Sequence, residues 1–302
     1  MGYSGRYHAA SLAAVFLALA IGILIGVGLG QNVISGTTKN LEQSLKSDLA
    51  AARGRADKLQ GQLNREADFE QEAFPALAGG ILRGDHIAVV ALGGLPADVN
   101  GDVEQVVGSE SPTGAALSEV AVVREPPDLP AIAGAAPQGS QGKHVRRDRA
   151  DLIAVARRMG RGLVVGGPTF DRFRGPMLVK VSGRPGGIDG VVVIRSQPGN
   201  LGPHQVAQSD TLEKGLLAGL ESGGGTPVVG VERSDSDGSS MGLLSGAGAS
   251  ATVDSVDLTS GRVALAYALA GGRGSYGVKS TADQLLPDLR HPRPPTAVAR
   301  AR

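Results

Sequence analysis

The chain has 302 residues, with 30 Lys and Arg against 29 Asp and Glu, and it contains no cysteine. Its net charge of +1 argues against a large nucleic-acid footprint. The missing thiols exclude disulfides, thiolate metal sites and a cysteine nucleophile. Forty-six glycines against five Phe, four Tyr and no Trp fit a loop-rich α/β domain. They count against an outer-membrane barrel, which needs aromatic girdles and alternating strands of ~10 residues.

The N-terminal tail, residues 1–8, holds Arg6 and His8. From Ala9 to Gly30 there is no charge and a single hydroxyl, Ser11. A helix over this run is about 30 Å long, enough to cross a bilayer core. A cleaved signal has a shorter apolar core of ~7–15 residues and a small-residue cleavage site. Gly30 to Gly36 offers no such site, so a retained single span over 9–30 is preferred to a signal or a buried core helix. Gly22, Gly26 and Gly30 share one helix face, the small-xxx-small spacing that lets membrane helices approach closely. Glycine is also simply common in membrane helices, and both readings stand. The charge bias around the span is weak, with Arg6 before it and Lys39 and Lys46 after it. A tail of eight residues holds no domain, so the expectation is a cytoplasmic N-terminus and a large domain outside the cytoplasm, in the cell membrane or envelope.

Residues 38–74 are charged and helix-prone. Leu45, Leu49, Ala52, Ala56, Leu59 and Leu63 alternate four- and three-residue steps, the a/d spacing of a coiled coil. Gly54 and Gly61 weaken the pattern, and Pro75 is the expected stop. A short stalk that pairs with a second copy is the preferred reading. The alternative is an amphipathic helix packed on its own domain.

An α/β domain is expected over 80–285. His86 to Leu92 is a continuous apolar run closed by Gly93 and Gly94, as for a strand buried on both faces. Asp98 to Val107 predicts a helix and Ala116 to Val123 a second strand. Pro126 to Lys143, rich in Pro, Gly and Ala, reads as a linker or surface loop. A helix over Asp148–Met159, a short strand over Gly162–Val165 and a strand over Asp189–Ile194 follow. Then come a helix over Asp210–Leu220, a strand over Thr226–Val231 and a last helix from Thr259 to Ala270. Strands alternating with helices point to a Rossmann- or flavodoxin-like parallel sheet with helices on both faces. Residues 288–302, rich in Pro and Arg, read as a disordered basic tail.

Most motifs that approach known chemistry fail on context. Gly272 to Gly277 is followed by Val278 and only then Lys279, whereas a phosphate-binding loop needs Lys directly after its last glycine. The glycines of Gly246 to Ala251 precede a strand instead of following one, so they read as a turn. Glu232, Asp235 and Asp237, with Gly238, form an acidic loop past the Thr226–Val231 strand. It lies where open α/β sheets bind ligands, although Arg233 and Leu244 stand where a calcium loop needs carboxylates. A cation or ligand site and a solvated loop both remain readings of it. His8, His86, His144, His204 and His291 are scattered, as are Met159, Met177 and Met241, so no metal site and no cofactor are readable. There is no nucleophile elbow or triad cue, and a non-enzyme is expected.

Two stretches carry a family resemblance. Arg6, His8, Ser11 to Ala20 and Gly22 fit the pattern R-x-H-x-x-S-L-A-A-V-F-L-A-L-A-x-G. Thr252-Val253-Asp254, Asp257, Gly261-Arg262, Gly271-Gly272 and Tyr276-Gly277-Val278 fit T-V-D-x-x-D, G-R and Y-G-V elements. In both, the chain resembles the actinobacterial copper transport protein family. Between about 95 and 250 the likeness is one of architecture only. The resemblance implies a cell-envelope protein linked to copper efflux or tolerance, with copper as the transported or sensed ion. Arg6, His8, Ser11, Asp254, Asp257, Arg262, Tyr276 and Gly277 are the candidate site residues, with Arg262 expected to pair with one of the two aspartates. Self-association through anchor and stalk is expected. An envelope scaffold or adaptor binding a protein or cell-wall partner is the alternative.

Overall fold

The structure is a computed structural model that describes residues 5–137, 139, 141–146, 148–223 and 225–290; the side chains of 5–8, 29–40, 71 and 141 lie outside the description. Arg6, His8 and the tail beyond Arg290 therefore fall, wholly or in their side chains, outside it. The chain divides into two compact units, residues 1–68 and 69–302.

The first unit is helical. Helix α1 (Gly5–Ala78) contains the segment Ala9–Gly28, long and apolar enough to span a membrane, with none of it buried. Leu45, Leu49, Leu59 and Leu63 are likewise exposed. The helix passes the expected stop at Pro75. It ends where Gly79 donates to the carbonyl of Pro75 and Gly80 turns to φ +73°, a conformation that glycine adopts without strain.

The second unit is built on a seven-stranded sheet. In chain order its elements are β1 (His86–Leu92), α2 (Ala97–Val107), β2 (Ala116–Val123), α3 (Leu129–Ala135), α4 (Arg149–Val165), α5 (Pro168–Met177) and β3 (Leu178–Gly183). Then follow β4 (Gly190–Arg195), α6 (Pro203–Glu221), β5 (Val228–Val231), α7 (Met241–Gly246), β6 (Ala251–Val253), α8 (Thr259–Leu269) and β7 (Gly274–Tyr276). The strand order is β3-β2-β1-β4-β5-β6-β7, with every pair parallel except β2–β3. Without the antiparallel edge strand β3, the first five parallel strands follow the flavodoxin-like order 2-1-3-4-5.

Both faces of the sheet are covered, which explains the unbroken apolar runs. Ala88, Val90 and Leu92 of β1 face one core with Val191 and Val193 of β4 and the helices α4, α5 and α6. Ile87, Val89 and Ala91 face the other core with α2, α8 and the last turns of α1. Helices α4 and α6 meet almost backbone to backbone. A Cβ on Gly160 would overlap the carbonyl of Leu216, and one on Gly219 the carbonyl of Arg157.

Several local expectations are corrected. The expected linker over 126–143 holds α3, capped by Asp128 through the N–H of Ala131, and a 3-10 turn at Gln141–His144. Leu129 and Ile132 are buried, and that anchors the segment. Gly162–Val165 is the last part of α4 and not a strand, because Leu163 and Val164 continue its buried face. Elements α5, β3, α7 and β7 add to the expected set. The remaining strands and helices lie where the apolar periodicity puts them, within a few residues, apart from α6, which starts seven residues earlier at Pro203.

Candidate functional site

The strand order reverses between β1 and β4, and a crevice opens at that switch point, beside the carboxyl ends of the strands. Open α/β sheets bind ligands in this position. The crevice measures about 640 Å³ and is lined by the ends of β4 and β5, the start of α2 and the loop 232–240. The turn leaving β1 is tight: Gly93 has φ +84°, and a Cβ there would overlap the carbonyl of Ser196. A larger and more open groove of about 1000 Å³ lies elsewhere, beside Phe74, Glu104, Glu110 and Arg262.

Arg195 and Gln197 line one wall of the crevice and belong to a charge cluster centred on buried Glu213. Arg195, at the end of β4, donates through Nε to both oxygens of Glu213 at 3.0 and 2.8 Å, and through Nη2 to Asp210 at 3.0 Å. Gln197 donates to the same two carboxylates. Glu213 is fully buried on α6. Glu125, just past β2, is also buried, and neither of its oxygens accepts a hydrogen bond. Burial first, and then the Glu213 carboxylate, push Glu125 up to about 8. Both effects favour its protonated form.

The acidic loop forms the opposite wall, and most of its charge is already paired. Glu232 accepts from Lys279 Nζ at 3.0 Å through one oxygen and from the Ser240 N–H at 3.0 Å through the other. Lys279 also donates to Ser236. Arg233 forms a close ion pair with Asp102, bonds Asp235 at 3.0 Å and lies 3.8 Å from Asp98. Burial raises Asp102 above the usual carboxylate value despite Arg233, whereas the Arg233 hydrogen bond lowers the exposed Asp235. Among the described residues, no group of three or more His, Asp or Glu is placed to hold a metal ion.

The candidate residues near the C-terminus frame the same edge of the sheet. Asp254, buried at the end of β6, accepts from the N–H of Val278 at 2.8 Å, from the N–H of Lys279 and from Thr281 Oγ1 at 3.2 Å. Gly277 has φ +140°, and a Cβ there would overlap the Asp254 carboxylate. The Y-G-V element is thus the strand end that this aspartate binds. Asp257 accepts from the N–H and hydroxyl of Ser234 at 2.7 and 2.6 Å, fixing the acidic loop from below. Arg262 does not pair with either carboxylate. Its Nη2 donates to the Asp257 carbonyl at 2.9 Å and its Nη1 to Gln105 Oε1 at 2.6 Å. The geometry follows from Gly261, which packs against the Ser255 carbonyl with no room for a Cβ, so the arginine one step on crosses towards α2. Tyr276 is buried, its hydroxyl donating to the Arg273 carbonyl. Asp254, Asp257, Tyr276 and Gly277 therefore act together at one edge, and Arg262 ties that edge to α2. Ser11 is exposed within the apolar segment of α1.

Arg195, Glu213 and Glu125 escape a reading for motifs. One signal was present: Ser209, Leu212, Glu213, Leu216 and Leu220 share one helical face, so Glu213 sits where a core residue belongs.

Residues 3–287 match the family model described as copper transport outer membrane protein, MctB. No curated protein and no solved structure matches the chain.

Proposed function

This chain belongs to the copper transport outer membrane protein family, and from that premise we propose that it is a membrane-anchored, non-enzymatic envelope protein. In this reading it supports copper efflux or tolerance and self-associates through anchor and stalk. The observation that carries the reading is the extent of the family match, which runs through both the apolar helix and the α/β unit. The N-terminus, with Arg6 and His8, stays in the cytoplasm, and the α/β unit lies outside it.

Copper enters this reading as cargo or signal, without a resident site in the α/β unit. Soft copper is held by thiolate, thioether and imidazole. The chain has no cysteine, and Met159, Met177 and Met241 are buried in the sheet core. His86 shares a hydrogen bond with Ser118 at 2.9 Å. Asp254, Asp257, Arg262, Tyr276 and Gly277 serve as a frame that holds the crevice edge, not as metal ligands.

The test is a deletion strain. Loss of the protein is expected to raise cell-associated copper and lower copper tolerance. Both should be restored by the full chain and not by a chain lacking 9–30. Unchanged copper content in the deletion strain refutes the proposal. The paired charges of the crevice favour a second reading, a scaffold that binds a protein or cell-wall partner there. Crosslinking from the 232–240 loop should then trap a specific non-self partner, and recovery of the homo-oligomer alone counts against it.

A further inference from the structure

Residues 45–63 of α1 present an exposed apolar seam. Leu45, Leu49, Leu59 and Leu63 are 50–60% exposed, and Ala52 and Ala56 between them are exposed as well. Placing Leu49, Ala56 and Leu63 at a, and Leu45, Ala52 and Leu59 at d, assigns every other residue a heptad position. Gly54 and Gly61 both fall at f, the position farthest from the seam. Nothing approaches Gly54 within 4 Å, and only the Arg65 side chain approaches Gly61. The two glycines therefore lie outside any paired surface.

The flanking charges separate the possible partners. Lys46, Arg53 and Gln60 occupy e, and Asp48, Arg55 and Gln62 occupy g. In a parallel pair each g residue faces the e residue five positions later on the other helix. Asp48 then meets Arg53, twice by symmetry, and Arg55 meets the neutral Gln60. An antiparallel pair that keeps the same leucine layers sets Arg53 against Arg53 and Arg55 against Arg55. A span inserted in one sense also delivers two copies to the membrane surface side by side and in the same direction.

We propose that residues 45–63 pair with the same residues of a second copy of this chain, parallel and in register, as a two-stranded coiled coil. This deepens the self-association proposed above and rests on it. The occupant of the seam is the identical helix, and Asp48 with Arg53 sets direction and register. Glu42 and Glu66, at the next a and d positions, bound the seam at both ends, and Glu42 is held within its own helix by Lys46 at 2.7 Å.

The absence of cysteine makes single-cysteine crosslinking of the full-length chain in membranes a clean test. Under mild oxidation Leu49→Cys and Leu59→Cys are expected to give a covalent dimer in most of the protein, and Gly54→Cys at least five-fold less. Asp48→Lys is expected to lower the Leu49→Cys yield, and Asp48→Lys with Arg53→Asp to restore it. Equal yields at seam and outer positions overturn the proposal. So does a mixture of Leu45→Cys and Leu63→Cys chains that yields heterodimers without homodimers, the mark of antiparallel pairing. Sizing of the unmodified chain in detergent separates the two levels. An oligomer without seam crosslinks refutes the coiled coil and leaves self-association standing; a monomer refutes both.

Discussion

Replacing Glu119 with leucine isolates the pH dependence that one carboxyl imposes on the α/β unit. Glu119 lies on β2, only 1% exposed, and neither oxygen has a hydrogen-bond partner. Burial alone raises it from 4.5 to about 7. A carboxyl whose folded value is raised favours the fold in its protonated form. Its contribution is full below the unfolded value and is lost as pH rises towards the folded one. Between pH 5 and pH 8 the folded unit therefore loses about 2.5 kcal/mol at this residue, at 1.36 kcal/mol for each pH unit in that window. Glu125 adds to the same downward trend up to about pH 8, so the quantity to compare is the slope of variant against parent. Urea unfolding of residues 69–302 at pH 5, 6, 7 and 8 gives both slopes. Glu119→Leu is expected to be more stable than the parent at pH 8, with a gain about 2.5 kcal/mol larger than at pH 5. Parallel slopes, or a variant that is less stable at pH 8, refute the reasoning.

Three further outcomes follow from described contacts. Arg195→Met leaves the fully buried Glu213 without its cation; stability at pH 7 should fall by about 3–5 kcal/mol, read from urea midpoints, with much of the loss recovered in Arg195→Met/Glu213→Leu. Gly277→Ala combines a disfavoured backbone conformation with overlap of the Asp254 carboxylate. It should cost about 1–3 kcal/mol and expose residues 277–285 to protease before the rest of the unit unfolds. The full chain should stay in the membrane through alkaline carbonate extraction, whereas a chain lacking 9–30 should be released to the supernatant.

The parts of the fold that sequence reveals are those with a long, regular period. Strand β1 is apolar from Ile87 to Leu92 and helix α8 from Val263 to Leu269, so their type is plain, and the glycines after β1 mark its end. Strand β3 is hidden because Leu178–Gly183 follows directly on a helix and is exposed on both faces, as an edge strand carrying Lys180. Helix α5 was hidden by its two prolines and a glycine. Only the first helical turn tolerates proline freely, so burial of Phe170 and Phe173 has to outweigh the composition. Strand β7 has three residues, too few for any period. The site divides in the same way. Asp254 and Gly277 lie 23 positions apart and were marked by resemblance, but that one excludes a Cβ at the other is a fact of packing. The buried acid at Glu125 has no local signal, because its state is set first by burial and then by Glu213 across the fold.

The contact between α4 and α6 has a consequence for how the unit moves. Most helix pairs meet through side chains, which can change rotamer and let one helix slide or rock against the other. At Gly160, Gly215 and Gly219 no such cushion exists: the chains touch at main-chain atoms. Any sliding there collides at once, so the two helices behave as a single rigid plate under one face of the sheet. Glu213 rides on that plate, two residues before Gly215, and β4 brings Arg195 to it from the sheet. The crevice therefore has one immobile wall. Adjustment to whatever enters it falls to the opposite wall, the 232–240 loop, whose shape depends on hydrogen bonds that individual water molecules can replace.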